Sequence, residues 1–548
     1  MNRYFRILGL ALSDFPTFWK RLLARLNQTP TRSDVAPENG STAVHYSDWI
    51  IAHDRADYLN RVALDLGPLA ATARQLVTRS AADKRPSHNH RHILLTSNHT
   101  VLHDMAVFEF ADIINQHPGI ALAYGDYDHV NGMGERFAPA FLPDWDPDLF
   151  WSTGYLRGAI LVRGDLWDQV CAHDPSDTFE QIICALVGLS HNPADEIHHI
   201  PHVLSHVPDT EWRDPRPRLD AHFQAVKSSL DHLPPGVQPR QIAPHGIVDL
   251  KHPSAAATPT IAIIIPTRDG LDVLQPCVQS VRQSPTEHPL EIIIIDNAST
   301  DAATLDYLAR LKEDDPRVKI LHDDAAFNFA RLNNQAAATT SAPLLCFLNN
   351  DTEVISPDWL DRLAAEAMRP EIGAAGARLL YPDGRVQHSG VILGLGGVAG
   401  HGDAGRAATD PGPLYRAIAC HRPSAITAAC LMIRRSLFEH LNGFDADNLA
   451  VDFNDVDLCL RINAAGYATL MVPSVELVHK ESISRGENSD PKARARFAQE
   501  ISYMRDTWGH HLDHDAAYNP NLSIALGQAY QLAENPRREP IWKRMAIS

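Results

Sequence analysis

The chain has 548 residues, of which 44% are hydrophobic and 21% charged, a composition typical of folded globular domains rather than of a disordered chain. Lys and Arg number 49 against 67 Asp and Glu, which gives a formal net charge of −18 at pH 7. Because a surface of that sign repels phosphate backbones, it excludes nucleic acid as the main partner. At roughly 150 residues per domain, the length predicts several domains.

The cysteine pattern and the apolar runs predict a cytoplasmic location. The seven cysteines are scattered without a CxxC pair, as expected for thiols in a reducing compartment rather than for disulfides or a zinc site. No run reaches the roughly 18 to 20 apolar residues that cross a bilayer. Four histidines crowd residues 198–206, but they have no metal-type spacing, so we interpret them as structural.

Residues 1–45 are predicted to form a basic amphipathic arm followed by a linker. Residues 1–27 carry five basic side chains against Asp14 alone, interleaved with apolar ones. Such a segment either lies on an anionic membrane surface, which would make the protein peripheral at the inner face of the plasma membrane, or packs on its own domain or a partner. Residues 28–45 have the Pro, Asn and Ser content of a linker.

The rest of the chain divides into four parts. We predict a first globular unit over residues 46–207 and a connector over 208–259, which holds nine prolines around a helical run at 219–233. From 260 to 486, strand and helix patterns alternate. The polar tail, 487–548, is predicted to be mostly helical.

Four short apolar runs in the third part predict an α/β fold. They span residues 261–265, 290–295, 318–321 and 344–348, with helical patterns such as 271–283 between them, which is typical of a buried parallel sheet. Ligands of such sheets bind outside the carboxyl ends of the strands. The first βα turn has neither GxGxxG nor GxxxxGK[ST], which argues against a dinucleotide-binding domain and excludes a P-loop.

Three residues after predicted strands or before helices have the chemistry of a catalytic site. Asp351 follows the strand at 344–348, where a carboxylate can bind Mg²⁺ or Mn²⁺ together with substrate phosphates, although Asn349 and Asn350 occupy the places of a second carboxylate. Asp455 precedes a helical stretch and is either a helix cap or a general base. His479 ends a strand-like segment, a suitable place for a metal ligand.

Seven segments in order, over about 230 residues, resemble glycosyltransferase family 2. The closest similarity is to its bacterial O-antigen and rhamnosyl members, and the segments are IIIPTRDG, IIIIDNASTD, NFARLNN, FLNNDTEV, TAACLMIRRSLFEHLNGFD, FNDVDLCLRI and VHKESISRG. YNPNLS, at residues 518–523, is similar to the same group. The resemblance implies the GT-A fold, in which a Rossmann-like nucleotide-binding half joins an acceptor half. It also implies inverting transfer of a sugar from a nucleotide-diphosphate donor.

The resemblance also implies roles for individual residues. By position in the motifs, the residues that would hold the nucleotide sugar are Pro266, Thr267, Arg268, Asp296, Asn328, Arg331, Asn333 and Asn350. Asp351 matches the last residue of the family's Asp-x-Asp motif, here Asn-Asn-Asp, and with His479 would hold a divalent Mn or Mg ion. Asp455 matches the catalytic base. The departure from Asp-x-Asp leaves strict metal dependence open.

The first unit resembles a degenerate copy of the same domain. Residues 92–103 match 344–355, which puts His99 opposite Asp351, and 123–167 resemble the acceptor half. Before residue 92, the sequence shows helical patterns and no readable nucleotide-binding strand. We interpret Asp126 and Asp128 as structural and predict a GT-A-like unit without catalytic activity, which serves as an acceptor platform or scaffold.

Two functions from different classes remain. The first is a glycosyltransferase that extends a surface polysaccharide on a saccharide or lipid-linked acceptor. The second, favoured by the Asn-Asn-Asp motif and the degenerate first unit, is an inactive sugar- or nucleotide-binding scaffold in a polysaccharide assembly complex. A nucleotidyltransferase is disfavoured because its Gly-rich signature near the first strand is absent.

Overall fold

The computed structural model describes residues 44–54, 72–73, 75–80, 90–97, 99–171, 178–190, 193–253, 258–480 and 491–538. All but the last two residues of the predicted arm and linker lie outside this set, as does the proposed membrane-binding segment 1–27. The described parts of the chain form two α/β units. No helix among them is both long and apolar enough to cross a membrane.

The first unit is built on a sheet of short strands. Its helices are α1 (Tyr46–Trp49), α2 (Ala106–Gln116), α3 (Pro147–Thr153), α4 (Gly164–Cys171), α5 (Phe179–Leu189), α6 (Pro193–Glu196), α7 (Thr210–Arg213) and α8 (Arg216–Ser228). Its strands are β1 (Val77–Ser80), β2 (His92–Thr96), β3 (Val101–Leu102), β4 (Leu122–Val130), β5 (Arg136–Ala140), β6 (Ala159–Arg163), β7 (Ile197–Pro208), β8 (Gln238–Ile242) and β9 (Ile247–Lys251). The described main sheet has the order β1-β2-β6-β4-β7-β3, with β5 on β4, while β8 and β9 form a separate hairpin.

The second unit has a larger sheet. Its helices are α9 (Leu271–Gln283), α10 (Ala302–Asp314), α11 (Phe329–Ala337), α12 (Trp359–Ala367), α13 (Arg435–His440), α14 (Asn454–Ala464) and α15 (Pro491–Asp513). Its strands are β10 (Ile261–Thr267), β11 (Leu290–Asp296), β12 (Val318–His322), β13 (Leu344–Leu348), β14 (Thr352–Val354), β15 (Ile372–Leu380), β16 (Val386–His388), β17 (Val391–Leu393), β18 (Ala399–His401), β19 (Cys430–Arg434) and β20 (Ala468–His479). The described sheet order is β12-β11-β10-β13-β19-β15-β20-β14, with β16 on β15.

The four apolar runs form parallel strands β10 to β13, as the sequence predicts. Strand β10 is buried along its whole length, and its alternate side chains enter two different cores. Ile263 and Ile265 pack with α9 and α12 on one face of the sheet, whereas Ala262 and Ile264 pack with α11 and α14 on the other. Burial on both faces explains the continuous apolar pattern, which is typical of parallel strands covered by helices.

The strand pairing repeats between the two units. In the first unit, β2 pairs parallel with β1 and antiparallel with β6. In the second unit, β13 likewise pairs parallel with β10 and antiparallel with β19. Even the register agrees, since His92 pairs with Arg163 and Leu344 with Arg434. The structure therefore agrees with the sequence alignment of residues 92–103 with 344–355.

One expectation for the first unit is wrong, because a strand does precede residue 92. Strand β1 has the sequence VTRS, and it pairs with β2 from Val77↔Ile93 to Ser80↔Thr96. Its four residues include only one aliphatic side chain. The apolar run that reveals the corresponding strand β10 is therefore missing from the sequence here.

The predicted connector and the predicted tail both contact the first unit, which their compositions do not indicate. Helix α8 and the β8–β9 hairpin supply Leu219, Val226, Ile247 and Val248 to the core of the first unit. In the tail, α15 is followed by residues 514–538 without any described helix. There Asn519 Nδ2 donates to Asp126 Oδ1 at 2.9 Å, which ties this part of the tail to the first unit.

Asp148 of α3 joins the two units. Its carboxylate accepts from Arg369 Nη1 at 2.7 Å and from Arg422 Nε at 2.6 Å. Burial raises the pKa of the Asp148 carboxyl, but the two guanidinium groups outweigh that effect and hold the pKa below its usual range. The ion pair therefore stabilises the protein above about pH 4, the unfolded pKa, and this contribution is lost as the pH falls through the lowered folded pKa.

Replacing Asp148 with Ala is expected to destabilise the protein by about 3 kcal/mol, because two partly buried arginines lose a partner. The matched control is Asp209→Ala, which removes a surface pair with the largely exposed Arg213 and is expected to cost less than about 1 kcal/mol. Chemical denaturation at pH 7 measures both variants. Equal effects of the two substitutions would contradict this account of the interface.

Candidate active site

A cavity of about 810 Å³ opens where β10 and β13 end. Four runs of residues make up much of its lining: 266–270 at the end of β10, 349–351 after β13, 427–429 before β19, and 451–456 around the start of α14. The rest of the lining includes His388, the β17–β18 hairpin, His479 and, from α15, Phe497. This is the edge at which parallel sheets bind ligands.

One side of the cavity contains four of the eight residues predicted to hold a nucleotide sugar. Pro266, Thr267, Arg268 and Asn350 all line it. Asn350 Nδ2 donates to Thr267 Oγ1 at 2.9 Å, so the ends of β10 and β13 are tied together. The wall therefore presents a guanidinium, a hydroxyl and an amide on neighbouring strand ends.

Asp296 lies next to this wall but does not line the cavity. It is the last residue of β11, and its side chain is almost completely buried. The carboxylate accepts from Ser299 N at 3.1 Å and lies 3.3 Å from His322 Nδ1. It orders the turn after β11, and its contact with a nucleoside stays a prediction.

Three more of the residues predicted to hold the nucleotide sugar, Asn328, Arg331 and Asn333, also lie outside the cavity lining. Asn328 caps α11 by accepting from Arg331 N at 2.8 Å, and Arg331 Nη2 donates to Asp323 Oδ1 at 2.9 Å. Asn333 is completely buried inside the same helix and donates to Phe329 O at 2.8 Å. The Asn333 side chain is thus used in the packing of the helix, and its part in nucleotide binding stays a prediction.

The two predicted metal ligands, Asp351 and His479, are brought together. His479 Nε2 lies 3.1 Å from Asp351 Oδ1, and on its other side His479 Nδ1 lies 2.6 Å from Gln387 Oε1. Because an amide oxygen only accepts, Nδ1 donates this hydrogen bond, and Nε2 faces Asp351 and lies 3.2 Å from Asn349 Nδ2. Gln387 of β16, which orients the His479 ring, was not predicted from the sequence as a site residue.

Removing the Gln387 amide is expected to weaken divalent-ion binding about 10- to 100-fold, as is typical when a hydrogen-bond partner of a metal-ligating histidine is lost. The variant is Gln387→Leu, and Gln387→Glu is the matched control because it keeps an acceptor at Nδ1. Titration of Mn²⁺ against the full chain with a nucleoside diphosphate measures the effect. Equal Mn²⁺ affinities in both variants would show that Gln387 does not orient His479.

The predicted base, Asp455, stands in the first turn of α14 and lines the cavity. Its Oδ2 accepts from Ala428 N at 3.0 Å and its Oδ1 from Val456 N at 2.9 Å. These bonds and the helix N-terminus stabilise the carboxylate in a fixed orientation. Asp457, two residues on, bonds instead to Arg461 and to Trp508 Nε1 at 2.9 Å, away from the cavity.

Two histidines that the sequence did not single out also line the cavity. His388 Nδ1 lies 2.9 Å from His401 Nδ1. Burial, followed by the neighbouring His401 and His421, lowers the pKa of His388 well below its usual value, so this ring is neutral. The pair extends the cavity wall with hydrogen-bonding groups beyond Gln387.

Comparison with known proteins assigns the second unit to a family. Residues 262–441 match the family model described as glycosyl transferase family 2. The chain carries a family 2 glycosyltransferase domain. The α/β fold of this glycosyltransferase domain, with a parallel half β10–β13 and a mixed half beyond β19, is of the GT-A type, and a second α/β unit precedes it.

Three bacterial proteins illustrate the similarity of the chain to curated relatives. It is 36% identical over 440 residues to uncharacterized protein y4gI of Sinorhizobium fredii, covering 79% of this chain and 48% of the relative. It is 31% identical over 557 residues to O-antigen biosynthesis protein RfbC of Myxococcus xanthus, covering 94% and 43%. It is 28% identical over 240 residues to N-acetylglucosaminyl-diphospho-decaprenol L-rhamnosyltransferase of Mycobacterium tuberculosis, covering 40% and 75%. The chain therefore spans less than half of the first two relatives.

Proposed function

We propose that this chain transfers a sugar from a nucleotide-diphosphate donor to a saccharide or lipid-linked saccharide acceptor, with inversion at the anomeric carbon. The observation that carries the proposal is one cavity that brings Asp455 together with Asp351, His479 and the Thr267–Asn350 pair. The wall formed by the ends of β10 and β13 would hold the donor, and Asp455 lies in the first turn of α14 on another wall.

In this proposal, Asp455 takes the proton of the acceptor hydroxyl while that oxygen attacks the anomeric carbon. The bond between that carbon and the diphosphate oxygen breaks, and the nucleoside diphosphate leaves with the bonding electrons. Because attack comes from the face opposite the leaving group, the configuration inverts. The bond from Ala428 N to Asp455 Oδ2 aims the carboxylate while leaving lone pairs for the proton.

The residues present fit a divalent cation that is shared with the substrate. Asp351 and His479 offer one carboxylate and one imidazole nitrogen, a combination that suits Mn²⁺ better than Mg²⁺. Among the described residues, no group of three or more His, Cys, Asp or Glu could hold a metal ion by itself. Diphosphate oxygens and water would therefore complete the coordination. When bound, the cation would neutralise negative charge on the leaving diphosphate.

The names of two relatives support the choice of substrate class. One is named for O-antigen biosynthesis, and another for rhamnosyl transfer to N-acetylglucosaminyl-diphospho-decaprenol. We infer that this chain acts on a growing polysaccharide or its lipid-linked precursor and that a 6-deoxyhexose such as rhamnose is the first donor sugar to test.

The first unit is proposed to be non-catalytic. Helix α5 precedes β7 as α14 precedes β20, but α5 begins with a capping box in which Gln181 Oε1 accepts from Thr178 N at 2.8 Å. Residue 99, which the sequence alignment places opposite Asp351, is a histidine and supplies no carboxylate for a divalent cation. The buried Asp126 bonds to Asn519 and Asn521 of the tail, which supports a structural role.

Membrane contact is a separate part of the proposal, carried by the basic arm at residues 1–27. Sedimentation with vesicles that contain phosphatidylglycerol should retain the full chain. A chain that lacks residues 1–27 should stay in the supernatant, as should both chains with neutral vesicles. Equal binding by both chains would contradict this assignment.

The proposed activity is tested by incubating the full chain with UDP-, dTDP- and GDP-linked sugars, with and without Mn²⁺ or Mg²⁺, and measuring the release of nucleoside diphosphate. We expect one donor to be consumed faster when a divalent ion is present. Nucleotide-sugar binding without any release would instead support the scaffold function, which the Asn349-Asn350-Asp351 sequence favours.

A further inference from the structure

Two aromatic rings line the cavity close to Asp455. Phe453 precedes α14 by one residue, and Phe497 comes from α15, beyond the residues that match the family model. The rings are stacked, with centroids 5.6 Å apart and planes at 26°. Both side chains are partly exposed, so they present an apolar surface to the cavity.

The backbone that carries this surface is held in a strained conformation. Phe453 has φ = 60°, in the left-handed region that a bulky residue adopts at a cost of about 1–3 kcal/mol. Glu500 of α15 is almost completely buried and accepts from Val451 N and Asp452 N, each at 3.1 Å. Asn454 Nδ2 closes the turn by donating to Val451 O at 2.8 Å. The surroundings thus fix where the Phe453 ring lies.

The position of the stacked rings indicates which ligand they would contact. The wall with Thr267, Asn350 and Asp351 is assigned to the donor, so the rings lie on the part of the lining that continues from Asp455. An acceptor hydroxyl must reach that carboxylate, which places the sugar ring bearing it beside Phe453. Pyranose rings have apolar C–H faces, which pack on aromatic rings, and a rim of polar hydroxyl groups. The Asp452 carboxylate also lines the cavity and can accept hydrogen bonds from that rim.

We propose that the Phe453–Phe497 stack is the binding platform for the pyranose ring of the acceptor. The inference rests on the proposed transfer function and adds residues that determine acceptor binding, with α15 as part of the active site. The platform recognises the face of the sugar and not a lipid chain attached to it, because it adjoins the base that must receive the hydroxyl proton.

The test is saturation-transfer NMR on the full chain with Mg²⁺ and the nucleoside diphosphate that it binds. The probes are methyl pyranosides of rhamnose, N-acetylglucosamine, galactose and mannose, together with octyl glucoside. We expect at least one methyl pyranoside to receive saturation on its ring C–H groups. Phe497→Ala should reduce that signal at least fivefold, Phe497→Tyr should keep it, and Gln499→Ala, an exposed change on the same helix, should leave it unchanged.

Three outcomes would overturn the platform: equal signals in wild type and Phe497→Ala, no pyranoside signal from wild type that binds nucleotide, or saturation confined to the octyl chain. Donor consumption without acceptor is measured in parallel. If wild type consumes a nucleotide sugar while the platform test fails, only the platform is wrong. If wild type consumes none, the proposed function fails, and a pyranoside signal lost in Phe497→Ala would then indicate a sugar-binding site without transfer.

Discussion

Replacing Asp455 with Asn should lower the rate of sugar transfer by about 100- to 10,000-fold and leave the binding of the nucleotide sugar unchanged. The amide keeps an oxygen that can accept from Ala428 N, so the loop before β19 stays in place. It cannot take the proton of the acceptor hydroxyl, so only that step is lost. Transfer kinetics and calorimetry with the donor measure the two quantities separately.

The matched control is Asp457→Asn on the same helix. Asp457 is buried and bonds to Arg461 and Trp508, so this variant should lose about 1–3 kcal/mol of stability while the folded protein keeps near-normal turnover. Near-normal turnover in Asp455→Asn would refute the assignment of the base. A loss of donor binding in the same variant would show that Asp455 serves the donor instead.

Replacing Asp351 with Asn should abolish the stimulation of donor consumption by Mn²⁺, with a fall of at least about 100-fold, because the divalent ion loses its carboxylate ligand. Wild type treated with a chelator should show the same loss, and added Mn²⁺ should restore wild type alone. The control is Glu353→Gln, which removes a half-exposed carboxylate that pairs with Lys480 outside the cavity.

A different result would revise the metal assignment. If Asp351→Asn retains Mn²⁺-stimulated turnover, the ion is held elsewhere. If chelation leaves wild type fully active, then Arg268 and the amides of the cavity wall stabilise the diphosphate without a metal. The Asn-Asn-Asp sequence would in that case mark a departure from the chemistry of the family motif.

The second unit could be predicted well from sequence because its strands are buried on both faces. The apolar run at 344–348 coincides with β13, and the helix expected over 271–283 coincides with α9 even though Pro276 lies inside it. The carboxyl ends of such strands meet at one edge, so Thr267, Asn350 and Asp351 could be expected to lie close together. The structure places them on one wall of the cavity.

What the sequence could not predict depends on contacts between distant segments. Gln387 bonds to His479, which is 92 residues away, and Glu500 bonds to the backbone 49 residues earlier. Asn333 lies in a motif of the family, but its helix turns the side chain into the core. Strand β1 has too few apolar residues to be detected. Periodicity reports which face of an element is buried, and it carries no information about which loop covers a strand end.

The central claim is that this cavity performs inverting sugar transfer, and the configuration of the first sugar released tests it most directly. Water can replace the acceptor, so proton NMR recorded during donor consumption with a divalent ion shows which anomer forms before mutarotation mixes the two. If transfer inverts the anomeric carbon, we expect the first anomer to have the configuration opposite to that of the donor. Release of the anomer with the donor's own configuration would contradict inverting transfer. Release at the same rate from wild type and Asp455→Asn would contradict the role of Asp455 as the base.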